Sequence, residues 1–124
     1  MANFQDVSRL SVPANADLSS HQYKFVVINS SGKAALNTTS GGRCAGVLEN
    51  KPNAADVPAT IVRYGAKAVV RAGDAITAGA LVMSNNAGLA ITATTGGHVQ
   101  GQALQAAAAS GNLIEVLLDY QGTV

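Results

Sequence analysis

Hydrophobic positions in this chain come in short runs separated by turn-forming residues. Over Lys67–Ala93 three such runs follow one another: Ala68–Val70, Leu81–Met83 and Leu89–Thr92. The last two flank Ser-Asn-Asn-Ala-Gly, and Asn and Gly tolerate the positive φ that tight strand reversals need. Each run is too short for a stable helix and long enough for a strand. Ile76, bracketed by Gly73 and Gly79, reads as an apolar plug tucked under the sheet by a wide turn.

The same pattern extends in both directions. Tyr23–Asn29 (YKFVVIN) reads as a strand rich in β-branched and aromatic residues. Ser30–Lys33 is its turn and Ala34–Leu36 the returning strand, with Asn37–Arg43 as a loop. Ala45–Glu49 and Pro58–Tyr64 follow as strands around the polar turn Asn50–Asp56. Downstream come His98–Leu104 and the closing strand Leu113–Leu118, where Ile114, Val116 and Leu118 share one face. Ala-rich Gln105–Ala109 has room for one helical turn before Ser110-Gly111-Asn112 stops it. About nine short strands with regular turn signals predict an all-β fold, a small single-domain barrel or sandwich over residues 23–124. Residues 1–22 lack a clean period and read as an extended N-terminal arm, in which Phe4, Val7, Leu10 and Val12 are scattered among polar residues.

Composition narrows the function. Of the 124 residues 48% are hydrophobic, yet only 4% are aromatic and 12% charged. An average domain has about 25% charged residues, so part of this surface is expected to be covered by a partner, most simply by oligomerisation. A net charge of +1 with dispersed Lys and Arg does not provide the basic stripe of a nucleic-acid binder. No run approaches the length of a membrane span, and the polar start MANFQDVSRL predicts no secretory leader. Cys44 is alone, which rules out an internal disulfide.

Candidate chemistry is sparse. His21 and His98 lie in unrelated contexts, and no His or Cys pair has zinc-ligand spacing, so neither a metal nor a cofactor is expected. Asn29-Ser30-Ser31-Gly32-Lys33 lacks the first Gly and the Ser or Thr of a phosphate loop and is read as a hairpin turn. Cys44, after Gly41-Gly42-Arg43, reads as a small buried residue, and Asp74 as a turn former. The apolar-Gly-Asp-x-Ile-x-x-Gly pattern around Asp74 is shared with biotinyl and lipoyl carrier domains. The hairpin tip Asn85–Gly88 has no lysine to carry a cofactor, so only the turn geometry is common to both. No catalytic constellation emerges, and no enzyme is expected.

The order of motifs resembles the small capsid cement, or decoration, proteins of tailed bacteriophages. The matching features are Asp17–Val26, Asn29–Lys33, Ala45–Pro52, Ala72–Val82, Gly101–Leu104 and Leu113–Leu118. The resemblance implies a non-enzymatic β-rich protein, made in the host bacterial cytoplasm and placed on the exterior of the virion head. It implies a homotrimer at three-fold positions that clamps neighbouring major capsid protein subunits after expansion. Within that reading Phe4, Val7, Leu10 and Val12 are candidates for a capsid-binding arm that adds backbone to an exposed strand. The competing expectation is a small β-barrel module that recognises a sugar or peptide. The chain has no Trp, and Tyr23, Tyr64 and Tyr120 are far apart in sequence.

Overall fold

Asn residues set the hairpins. Asn29 Oδ1 accepts the amides of Ser31 and Lys33, both at 3.0 Å, and Gly32 supplies the positive φ that closes the turn. Asn85 does the same with Ala87 and Leu89, at 2.8 and 3.0 Å, with Gly88 in the equivalent place. The computed structural model describes residues 8–124. It has ten strands: β1 (Arg9–Pro13), β2 (Phe25–Ile28), β3 (Ala34–Leu36), β4 (Gly46–Leu48), β5 (Pro58–Val62), β6 (Lys67–Arg71), β7 (Leu81–Ser84), β8 (Ala90–Thr92), β9 (Gly101–Ala103) and β10 (Leu113–Leu118). All ladder pairings are antiparallel.

The strands form two five-stranded sheets, ordered β1-β5-β4-β2-β3 and β6-β10-β9-β7-β8. These are one topology used twice in tandem. In each sheet the two edge strands meet at one parallel bridge, Ala14↔Ala34 in the first and Ala72↔Ala90 in the second, so each sheet curls into a small barrel. The correspondence reaches individual hydrogen bonds. Leu18 N–H donates to Pro52 O as Ile76 N–H donates to Ala107 O, and Tyr23 N–H donates to Leu48 O as Gly79 N–H donates to Ala103 O. Tyr23 and Asp56 carry the positive φ that glycine carries at Gly79 and Gly111.

The cores match position by position. Ala14, Leu18, Val26, Ala34, Leu48, Ala59 and Ile61 fill the first barrel. Their counterparts Ala72, Ile76, Val82, Ala90, Ala103, Ile114 and Val116 fill the second. Ile76 is the predicted plug, and Leu18 is its twin. Where Leu48 becomes Ala103, Ala59 becomes Ile114, so volume moves within the core and its filling is kept.

Besides small shifts of strand ends, the elements differ from the sequence reading chiefly in three places. The tenth strand is β1, formed by Arg9–Pro13 within the segment read as an arm, and the following residues Ala14 and Leu18 are buried in the first barrel. No helical turn forms at Gln105–Ala109, because Ala107 instead exchanges both backbone hydrogen bonds with Ile76. Strand His98–Leu104 shortens to Gly101–Ala103. Gly101 is needed there because a Cβ would lie 2.2 Å from Leu117 O, and Gly46 holds the same place in the first barrel.

Candidate interaction site

The candidate arm residues separate into two groups. Phe4 and Val7 lie outside the described residues. Leu10 and Val12 are half-buried on the inward face of β1, packed against the first barrel's core. Their counterparts in β6, Ala68 and Val70, are fully buried.

Residues that suggested chemistry are occupied structurally. Burial pushes the Cys44 thiol up to about 12, and its Sγ contacts Gly42 O at 3.5 Å. Such a thiol is a packing group, not a nucleophile. His21 has its pKa lowered by burial and then by Lys24, whose Nζ lies 3.2 Å from its Nδ1. Asp74 caps its own turn through the Ala75 amide at 2.8 Å. Among the described residues no cluster of His, Cys, Asp and Glu could hold a metal ion, and no helix is long and apolar enough to cross a membrane.

Tyr64 and Tyr120, distant in sequence, meet at 5.8 Å between ring centroids. His98 stacks on Tyr120 and its Nδ1 lies 2.6 Å from the Tyr120 hydroxyl, while Arg43 caps the ring at 4.4 Å. The Tyr64 hydroxyl bonds to Cys44 O at 2.6 Å and to Gln100 Oε1, and burial raises its pKa. Buried Gln100 also donates to Gly42 O at 3.0 Å and His98 O at 3.2 Å. These bonds tie the loop after β3 to the second barrel. Apart from exposed Arg43, which rests on the Tyr120 ring, the cluster's polar groups bond to one another and across the seam, so it acts as a lock between barrels. A cleft of about 230 Å³ opens along the same seam, with Arg9, Tyr23, Glu49 and Lys67 among its lining. It is smaller than the roughly 300 Å³ at which small-molecule pockets begin.

The outer faces of the two sheets are the largest difference between the barrels. In the first, the cross-strand row Arg9–Val62–Val47–Phe25 runs over β1, β5, β4 and β2. Val62, Val47 and Phe25 are at most 2% exposed because the second barrel sits on them. Its hairpin tip closes this contact: Phe25 N–H donates to Gly88 O at 2.7 Å. The equivalent row in the second sheet is Lys67–Leu117–Gln102–Leu81, and apart from its Lys67 end, which lines the cleft at the seam, no described residue packs over it. Leu81, Leu117 and Val69 are each 38% exposed there, and Leu104 and Leu113 46%. Strand alternation puts all five on one face, where they make up most of the large apolar side chains exposed among the described residues. The sequence reading missed this face because Leu113–Leu118 is apolar on both sides, and the pattern does not say which side is covered.

An all-β tandem barrel with an open face on which five large apolar side chains surround the Lys67–Glu115 ion pair has the make-up of an assembly protein. Comparison with known families agrees: the phage cement protein model matches residues 3–118, and the chain belongs to that family. It is therefore a capsid-associated structural protein of a phage. The fold is similar to the crystal structure of the head fiber gp8.5 N base in bacteriophage phi29, with a TM-score of 0.68 and 18% identity over 94% of this chain and 96% of that one. No curated protein matches the chain.

Proposed function

We propose that this protein is a head decoration protein that binds the outer surface of the major capsid protein lattice as a homotrimer at three-fold positions and stabilises the expanded shell. The family match over residues 3–118 carries the reading, and the open apolar face of the second sheet supports it. Genome packing loads the shell from within, and a trimer that touches several subunits adds contacts that must break together. Once one foot is bound, the others attach intramolecularly at high effective concentration. The segment before β1, which carries Phe4 and Val7, is the proposed capsid-binding arm. Leu10 and Val12 serve it indirectly, by fixing β1 on the first barrel as the arm's root. The protein is made in the bacterial cytoplasm and ends on the virion exterior.

Co-sedimentation with expanded and unexpanded capsids of the same phage tests this. Saturable binding to expanded shells, with genome release moved to higher temperature, is the expected outcome. Absence of binding to either form refutes it. Deleting residues 1–7, which keeps β1 and the Arg63 N–H bond to Ser8 O, is expected to weaken binding without unfolding the barrels, and unchanged binding refutes the arm.

A further inference from the structure

We infer that the outer face of the second sheet is the subunit interface, and that its occupant is the first barrel of a second copy of this chain. The chain displays such an interface internally. Barrel two seats β6 and the Asn85–Gly88 tip on the outer face of barrel one, burying Phe25, Val47 and Val62. Because the barrels share topology, register and turn chemistry, each has an outer face and a tip of the same design. The tip of barrel two is occupied: a Cβ on Gly88 would lie 2.6 Å from Leu36 Cδ1 and 2.9 Å from Phe25 O. The tip of barrel one is open, with nothing within 4 Å of the equivalent position on Gly32. The face of barrel one is covered and that of barrel two is bare. Among the described residues, one face and one tip are left unused.

Such a contact is head-to-tail, so it generates a closed ring when the rotation closes. Rested on the trimer proposed above, three chains place six barrels around the axis, with the same type of contact within and between chains. Across copies the Leu81 amide takes the role of Phe25 and donates to Gly32 O of the next copy. Its β1 lies over β9 and β10, as β6 lies near β4 within the chain. That placement also accounts for Leu10 and Val12 being half-exposed where Ala68 and Val70 are buried.

The test uses the full chain and two variants. Leu81→Asp with Leu117→Asp spoils the face at exposed positions. Gly32→Asn spoils the tip, since Asn tolerates the left-handed backbone and only a docked partner would meet its side chain. Circular dichroism and thermal melts verify that both variants fold. By native mass spectrometry and sedimentation at up to millimolar concentration, the wild type is expected as a single species of three chains. Each variant alone is expected as a monomer, with association weakened at least about 100-fold. An equimolar mixture of the two is expected to give a one-to-one heterodimer, joined through the one intact face and the one intact tip. A monomeric wild type, a polydisperse ladder, a trimer that survives either variant, or a mixture that stays monomeric overturns the inference. Co-sedimentation of the wild type with expanded shells separates the two proposals. Shell binding without this interface leaves the decoration reading standing, and a ring that binds no shell leaves the interface standing.

Discussion

Replacing Gly101 with alanine is expected to be among the most damaging single-methyl additions in this protein. The added Cβ would lie 2.2 Å from Leu117 O and 3.0 Å from Leu117 C, both backbone atoms of β10. Ordinary carbon–oxygen contact needs roughly 3.2 Å, so the ladder must open by about 1 Å, and no flexible side chain can absorb the shift. The displaced strand is central: β10 pairs with β9 through Val116↔Ala103, Leu117↔Gln102 and Leu118↔Gly101, and with β6 on its other side. Loss of one or two hydrogen bonds at about 1 kcal/mol each, plus loosened packing under buried Val116 and Leu118, gives about 3–5 kcal/mol. Typical total stability is about 5–15 kcal/mol, so the variant approaches unfolding. Gly111→Ala is the control: its φ is +95° but nothing lies within 4 Å, so it bears only backbone strain of about 1–2 kcal/mol. Urea unfolding followed by far-ultraviolet circular dichroism measures both. Gly46→Ala is expected to match Gly101→Ala, because its Cβ would lie 2.1 Å from Val62 O at the equivalent site of the first barrel. A loss for Gly101→Ala no larger than for Gly111→Ala would refute the steric reasoning, and a benign Gly46→Ala would refute the equivalence of the barrels.

The plugs Leu18 and Ile76 are nearly fully buried at equivalent sites, so Leu18→Ala and Ile76→Ala are each expected to cost about 2–4 kcal/mol in urea unfolding. Tyr64→Phe removes the hydroxyl that bonds Cys44 O and Gln100 Oε1, and is expected to cost about 1–3 kcal/mol with the strand content intact. Cys44 is expected to react with a thiol reagent at pH 8 at least about 100-fold more slowly than free cysteine, and at the normal rate in denaturant. The pKa of Cys44, and that of Tyr64, are raised by folding, so the folded state holds their protons longer than the unfolded chain does. Stability is therefore expected to be flat in these groups below pH 9 and to fall as pH rises from 9 toward 12, read as a falling urea midpoint.

Most strands were legible because the fold relies on short alternating runs punctuated by Asn and Gly. Asn85 and Gly88 announce a hairpin, and Ile76 between two glycines announces a plug; both are where the pattern puts them. The tandem repeat stayed hidden because it resides in backbone-determining positions, while core side chains trade volumes, as Leu48 and Ala59 do with Ala103 and Ile114. The available signal was Val-x-x-Asn-x-x-Gly-x-Ala at 26–34 and again at 82–90, each followed by Thr-x-Gly-Gly at 39–42 and 94–97. Strand β1 was obscured because Arg9, Ser11 and Pro13 face outward on a five-residue edge strand, leaving only Leu10 and Val12 to mark it. The bare face of the second sheet depends on where the first barrel ends up, which local pattern does not encode. Nor does local pattern bring Tyr64 to Tyr120.

The most direct measurement is a cryo-electron microscopy reconstruction of expanded capsids saturated with this protein. Added density is expected only on the outer surface, at three-fold positions, as six barrel-sized lobes arranged in three pairs, each touching more than one capsid subunit. Density on the inner surface, at isolated single subunits or nowhere on the shell would contradict it.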